Sequence, residues 1–378
     1  MTSHPTAPPY GQGTLAEVMP SAGALLAVPG MTDSLGLSEW CRAADGDVPH
    51  SVTVLLVDGL GWSPWREMLA DTPALAGMQA RSLSTTFPST TPTALASLGT
   101  ALTPGGHGLV GAGFLLPEDG DLLHPLSWGR TPHPLAVQPE PTIFERVARA
   151  GLPVASVGPR AYADSGLTRA GLRGGHPVGG DTYAEVVEGV AMNARGLTYA
   201  YVADLDRTGH VFGVSSAEWL QSLAEIDSLV DRILDQLCER DLLLVTADHG
   251  MVDCAPHDRV RIEDLPGQAG IVIGGEPRMR HIYCPPEDRD SLIMSWRQEL
   301  GDRAWVLSRE ESINLGLFGP VLHDYDERIG DLVVIARGTT ALTSETDSIV
   351  SGLRGQHGAV TDAEMRIPLL QARGRRPD

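Results

Sequence analysis

The chain has 378 residues, 42% of them hydrophobic and only 5% aromatic, with 48 acidic against 28 basic side chains and a net charge of −20. That length supports one large domain or two ordinary ones around a mostly aliphatic core. The acidic balance excludes tight sequence-independent nucleic-acid binding, which needs Lys and Arg to displace counterions; an anionic substrate would need local cations to overcome the surrounding field.

Residues 1–20 read as a disordered lead. Met1 to Tyr10 is proline-rich and has neither the basic segment nor the adjacent apolar run of an export signal. Residues 15–30 are mildly apolar, but too short and too interrupted by Pro and Gly to span a bilayer. A cytoplasmic protein without membrane association is expected. The first strand is predicted at residues 52–57, ending at Asp58-Gly59; Trp62 and Trp65 follow and read as packing for the next helix. A hydroxyl-rich stretch, residues 84–98, leads into a helix predicted at 92–102. Proline in its first turn and threonine before it mark Thr91 as the N-cap. A phosphate is favoured at such a helix start, so Thr91 is the foremost candidate nucleophile, with Thr90 and then Thr86 behind it.

Residues 110–140, rich in Gly, Pro and His, read as a long loop in which Trp128 and His133 could face a substrate. Helices are predicted at 142–150, 182–194 and 217–239, and strands at 154–157, 198–202 and 242–246. Strand 198–202 is followed by Asp204, Asp206 and His210, and strand 242–246 by Asp248-His249-Gly250. Residues 251–330, with a short strand at 271–273 and a helix at 288–299, read as an insertion. A strand at 332–335, then His357-Gly358, and a frayed tail at 371–378 complete the chain. The insertion falls within a single catalytic domain spanning residues 21–370. Strand–helix alternation implies an α/β fold with a mostly parallel central sheet flanked by helices, and ligands of such sheets bind at the carboxyl ends of strands. The four cysteines, Cys41, Cys238, Cys254 and Cys284, form no CxxC pair and read as free thiols.

Asp58, Asp206, His210, Asp248, His249 and His357 therefore lie at strand ends or in adjacent loops. Three Asp and three His make two sets of three ligands, enough for two divalent cations, and this donor mix favours zinc. His107 is taken as structural, bonding the turn before Gly108. His176 and His323 are read as surface residues, and residues 327–331 as a turn.

The segments Val54-Leu-Leu-Val-Asp-Gly-Leu-Gly, Phe87-Pro-Ser-Thr-Thr-Pro-Thr, Thr100-Ala-Leu-Thr-Pro-Gly-Gly-His-Gly, Tyr201-Val-Ala-Asp-Leu-Asp-Arg-Thr-Gly-His, Thr246-Ala-Asp-His-Gly-Met and Gly355-Gln-His-Gly together resemble the alkaline phosphatase superfamily. Within it they resemble the type I phosphodiesterase/nucleotide pyrophosphatase family. The resemblance implies an alkaline-phosphatase-like fold, one metal held by Asp206, His210 and His357, and a second held by Asp58, Asp248 and His249. It places the family's nucleophilic threonine on Thr91 and implies a two-metal hydrolase of phosphodiesters or nucleotides acting through phospho-threonine. The family usually has Phe-Pro-Asn after the nucleophile, where the Asn holds a phosphoryl oxygen. Pro92-Thr93 stands here instead, leaving Thr93 as a substitute donor to phosphate. No arginine gripping the phosphate can be assigned among Arg81, Arg130, Arg160 and Arg173. The alternatives on the same scaffold are a phosphomonoesterase, a phosphonate hydrolase or a phosphomutase; a non-catalytic metal-binding module is the alternative of another class.

Overall fold

The computed structural model describes residues 4–40, 48–118, 120–128, 131–192 and 195–377. Its main strands in chain order are β1 (Ser51–Val57), β2 (Gln79–Ser84), β3 (Val154–Gly158), β4 (His176–Gly179), β5 (Gly196–Val202), β6 (Leu242–Thr246), β7 (Val272–Glu276), β8 (Met279–Tyr283), β9 (Ala304–Ser308), β10 (Leu332–Ala336) and β11 (Arg366–Arg373). A seven-stranded sheet runs β2-β11-β6-β1-β5-β3-β4. Strands β6, β1, β5, β3 and β4 are parallel, and β11 lies antiparallel between β2 and β6. Every residue of β1 and β6 is buried, as parallel strands covered on both faces require.

The covering helices include α1 (Val18–Leu25), α2 (Thr91–Thr100), α3 (Ile143–Arg149), α4 (Gly166–Gly171), α5 (Tyr183–Ala191), α6 (Asp204–Phe212) and α7 (Ala217–Gln236). Capping boxes of Thr142 with Glu145 and Thr182 with Glu185 start α3 and α5. Helix α7 buries Trp219, Leu223, Ile226, Val230 and Ile233 at helical spacing. Asn193, Ala194, Arg130 and Cys41 lie outside the described residues. Among those described, no helix is long and apolar enough to cross a membrane.

Three segments depart from expectation. Residues 4–20 are not a disordered lead. Thr14 bridges to Ser84, the Tyr10 hydroxyl donates to the Leu317 carbonyl at 2.8 Å, and Leu15, Val18 and Met19 are fully buried. Their partners are remote in sequence, so local composition carried no trace of them. Nor are residues 371–377 frayed: residues 371–373 complete β11, and the Arg375 N–H donates to the Leu234 carbonyl at 2.9 Å. The excursion from the main sheet also runs past residue 330. It holds an antiparallel sheet in the order β7-β8-β10-β9, with its own core around Ile262, Trp296, Leu332 and Leu342. Val252–Asp253 pairs with Gly355–Gln356 and closes its base.

Residues 110–140 contain a short hairpin, Phe114–Leu116 with Asp121–Leu123. Trp128 is buried and its indole N–H donates to the Pro132 carbonyl at 3.0 Å, while His133 caps the turn that follows it. Trp65 is buried in the core and Trp62 packs beside it, with ring centroids 5.4 Å apart.

His107 and His281 are buried and neutral. His107 Nδ1 accepts from the Leu109 N–H at 3.1 Å and its Nε2 meets Ser97 Oγ at 2.9 Å. His281 takes the Gly330 N–H on Nδ1 and meets the Val110 carbonyl through Nε2. Burial pushes His107 down to about 3 and His281 down to about 4. Both lie below the ordinary imidazole value, so the unfolded chain binds more protons. Their contribution to stability is complete above pH ~6.5 and is lost as pH falls toward 4, at about 1.4 kcal/mol per pH unit for each histidine. Urea unfolding measured from pH 7 to 4.5 checks this, and His107→Gln should flatten the slope.

Candidate active site

The order of the main sheet assembles the site. β1 lies between β5 and β6, with Leu56 level with both Tyr201 and Thr246. The chain therefore leaves three adjacent strands at one edge, carrying Asp58, Asp206 and Asp248. Gly59 makes the turn after Asp58 with φ +76°; a Cβ there would come within 3.0 Å of Asp206, so the tight approach of these loops requires glycine. The Gly59 N–H donates to Asp248 Oδ1 at 3.1 Å. His210 follows Asp206 by four residues on α6 and so shares its face, 3.3 Å from its carboxylate. His357 returns from the inserted subdomain through the Val252–Asp253 pairing, and its ring stacks on His249 at 3.7 Å.

The six residues fall into two groups, Asp206 with His210 and His357, and Asp58 with Asp248 and His249. In each group the ligand atoms lie within 4.8 Å of one another. His249 Nε2 is 3.5 Å from both Asp58 and Asp248. All three histidines turn Nδ1 to a backbone carbonyl: His210 to Gly355 at 2.8 Å, His249 to Gly250 at 3.1 Å and His357 to Ser89 at 2.9 Å. A carbonyl only accepts, so each Nδ1 carries a proton and each Nε2 is the nitrogen left facing inward. This is how outer bonds orient metal-binding imidazoles.

The carboxylates are left with unpaired oxygens. Asp58 Oδ1, Asp206 Oδ1 and Asp248 Oδ2 are buried without hydrogen-bond partners. Burial, then the neighbouring Asp248 and Asp206, holds the Asp58 carboxyl well above its usual range, and burial raises Asp248 too. Burial, reinforced by His249, pushes His357 well below the ordinary imidazole value. Around Asp206 and His210 burial works against charge, yet each favours the other's charged form, so Asp206 is lowered and His210 raised to about 9. Three largely buried acids facing three inward Nε2 atoms, with the proton that His210 holds toward Asp206 open to displacement by a cation, form a donor set that fits two divalent cations.

Thr91 is the first residue of α2 rather than its cap; Thr90 takes the cap position. Thr91 Oγ lies 3.2 Å from His249 Nε2. The preceding loop is stitched to the metal loops: the Thr85 hydroxyl donates to the Asp248 carbonyl, Ser89 Oγ donates to Ala359 O at 2.7 Å, and the Gly358 N–H donates to Ser89 Oγ at 3.1 Å. Thr91 and Asp58 open onto a cavity of about 740 Å³ that neither Thr90 nor Thr86 lines. Thr93 does not line it either, and its hydroxyl is buried without a partner.

Two neighbours escaped the sequence reading. The Tyr201 hydroxyl donates to Asp58 Oδ2, leaving only Oδ1 of that carboxylate free. Glu276, at the end of β7, puts Oε2 3.8 Å from His357 Nδ1, and burial pushes it up to about 8. Strand alternation would have aimed Tyr201 with Tyr199 at one face, but nothing local tied Glu276 to a site 81 residues before His357. Of the arginines, Arg160 and Arg173 line the cavity while Arg81 stacks on Trp40 at 4.4 Å. His176 opens β4 and His323 is exposed; Arg328 and Asp331 of the 327–331 turn bond backbone and neighbouring arginines.

The chain is similar to the phosphopentomutase of Anaeromyxobacter sp. (strain K), at 33% identity over 145 residues covering 36% of each chain. The match thus spans about a third of that relative's length. In fold it is similar to murine ectonucleotide pyrophosphatase/phosphodiesterase 5, with a TM-score of 0.70 and 16% identity over 86% of this chain and 88% of the other. It is also similar to phosphonoacetate hydrolase from Sinorhizobium meliloti 1021, solved in complex with phosphonoformate, with a TM-score of 0.67 and 18% identity over 86% and 91% of the two chains. The family model of type I phosphodiesterase/nucleotide pyrophosphatase matches residues 52–359, which hold both triads and Thr91, and the chain belongs to that family.

Proposed function

We propose that this chain is a two-metal phosphodiesterase/nucleotide pyrophosphatase that works through a phospho-threonine on Thr91. The observation that carries the reading is the Thr91 hydroxyl, 3.2 Å from His249 Nε2 and open to the cavity, at the start of a helix beside two metal-capable triads. Asp206, His210 and His357 would hold one cation; Asp58, Asp248 and His249 would hold the other. When bound, two divalent ions would offset the three aspartates, draw in phosphoryl oxygens and favour ionised hydroxyl and water.

The protein's own groups then act in order. Thr91 Oγ gives up its proton to solvent and attacks phosphorus; the Oγ–P bond forms as the bond from phosphorus to the leaving oxygen breaks, and that oxygen departs with the bonding pair, taking a proton from solvent where it is basic enough. The positive end of α2 favours the anion held there. Water next attacks the phosphorus, the P–Oγ bond breaks, and Thr91 regains a proton. The Ser89 and Thr85 bonds keep the Thr91 loop registered against both triads throughout, so that position rather than motion provides the near-attack geometry.

The test is turnover of bis-p-nitrophenyl phosphate against p-nitrophenyl phosphate after chelation and zinc return. We expect about two zinc ions per chain and faster diester turnover, abolished by chelation and restored by zinc. His210→Ala and His249→Ala should each leave about one zinc ion by mass spectrometry and lower the rate about 100-fold or more. Faster monoester turnover would move the assignment to the phosphatase branch, and phosphonate turnover alone to a phosphonate hydrolase. Two bound metals without turnover of any of these would favour the non-catalytic reading.

A further inference from the structure

The cavity of about 740 Å³ beside Thr91 runs from the metal-capable groups under α4 toward the outer strands β3 and β4. Its walls are largely aliphatic, with Leu95, Val157, Leu167, Leu172 and Val178 among them. Most of its polar groups are engaged, but the Tyr199 hydroxyl, buried in the cavity wall, has no hydrogen-bond partner among the described residues. The Ser165 and Thr168 hydroxyls meet at 3.0 Å, and Thr168 also donates to the Tyr162 carbonyl at 2.7 Å. Arg160 is paired with Asp181 and Glu185. Arg173 is tied to the carbonyls of Ala170 and Glu140 and to Glu145. Arg169, which meets His133 Nε2 at 3.3 Å, and Arg207 have only long ion pairs, 3.7 Å to Asp164 and 3.5 Å to Asp204, and both are solvent-exposed.

The apolar lining continues to the surface. Leu126, Tyr162 and Val211 line the cavity and are 66%, 46% and 54% exposed. A contiguous apolar track of this kind marks a binding surface. A ribose in the depth of the cavity would meet mainly aliphatic walls, where the Tyr199 hydroxyl could satisfy only part of its hydrogen bonding, which is costly. A polyphosphate chain would meet Arg160 and Arg173 already paired and Arg169 and Arg207 only at the exposed mouth, on a protein whose net charge of −20 repels polyanions.

Resting on the phosphodiesterase reading, we propose that the substrate is a singly charged phosphodiester whose retained substituent is a long apolar chain lying in this cavity. In-line attack puts the leaving oxygen on the far side of phosphorus from Thr91 Oγ, so a substituent lying in the cavity that Thr91 lines is the one retained in the Thr91 adduct. The reaction remains the one already balanced above, with the chain-bearing phosphate monoester as product.

The test measures kcat/KM on the zinc-loaded full chain for p-nitrophenyl esters of methyl, butyl and octyl phosphate, with phenyl phosphate and thymidine 5′-phosphate esters for comparison. Each methylene moved from water to an apolar wall favours binding roughly three- to fourfold, so a rise of about tenfold or more from methyl to butyl is expected, with the octyl ester ahead of the thymidine ester. Leu172→Glu, which places a charge in the depth, should bring the octyl-to-methyl ratio close to one. Leu126→Glu, at an exposed position that accepts charge without unfolding, should lower that ratio at least threefold. Calorimetry on Thr91→Ala should show octyl methylphosphonate binding more tightly than its methyl analogue. A flat series, a thymidine or phenyl ester ahead of the octyl ester, or no tightening with chain length would overturn the inference while leaving the phosphodiesterase reading intact. Absence of turnover for every diester would overturn that reading and this inference with it.

Discussion

Thr91→Ala should lower turnover of bis-p-nitrophenyl phosphate by roughly 10³-fold or more, about 4 kcal/mol of barrier, without changing zinc content or thermal unfolding. The size follows from what is removed. Without the hydroxyl no covalent intermediate can form, and water must attack directly from a position the fold has not prepared for it. The variant makes no cavity of consequence, because Thr91 already borders open space. Thr90→Ala and Thr86→Ala are the informative controls. Thr90 lies beside Glu276 and Thr86 is fully buried; neither lines the cavity, so both variants should keep the rate within about tenfold. Trapping of phosphorylated Thr91 by rapid acid quench and peptide mass spectrometry gives the positive result. More than a tenth of the rate surviving in Thr91→Ala would show that the nucleophile lies elsewhere.

The second large effect is on stability. Arg278, in the turn between β7 and β8, and Glu364, just before β11, are both fully buried and form a two-bond ion pair at 3.0 and 2.8 Å. Arg278 also donates to the carbonyls of Thr340 and Gly338. Glu364 accepts the Ala359 N–H at 3.0 Å and the Thr361 hydroxyl, and its carbonyl takes the Gly250 N–H at 2.8 Å. One buried pair thus ties the inserted sheet to the loops that carry His357 and His249. Glu364→Ala should cost about 3–5 kcal/mol, because it strands a buried guanidinium rather than merely losing an attraction. Arg278→Met combined with Glu364→Leu should recover much of that loss, since no charge is left unpaired. Urea unfolding of the two singles and the double measures the coupling directly. A single-variant loss under about 1 kcal/mol would show that the pair anchors nothing.

The Glu364→Ala variant should also weaken retention of one metal, because the Ala359 N–H bond positions the segment just after His357. Zinc titration separates this from global loosening: both triads fail together if the fold opens, whereas only the His357 triad fails if the loop alone shifts.

Much of the fold was legible because its signals are local. β1 and β6 are unbroken aliphatic runs, and α7 repeats apolar residues at helical spacing. The capping threonines Thr142 and Thr182 stand one residue before helices α3 and α5. Strand β11 was hidden by Pro368 and by its charged ends, features that argue against a sheet interior. Pro368 is tolerated because its carbonyl still serves the sheet by accepting from the Thr246 hydroxyl at 2.8 Å. The lead and tail share a related feature: their composition is polar or proline-rich, yet each finds its partners across the fold.

The sequence by itself determined which residues stand near strand ends with metal-capable side chains, and, to within one residue, where the helix at Thr91 begins. Such features depend on periods of two and 3.6 residues and on capping, all set by near neighbours. Only the tertiary structure decided that β1 lies between β5 and β6, which brings three aspartates to one edge. It alone returned His357 to His249 through the base of the inserted subdomain, brought Glu276 beside it and opened an apolar cavity at Thr91. Those outcomes rest on strand order and long-range pairing, where the contacting groups are tens to hundreds of residues apart and leave no mark on the local pattern.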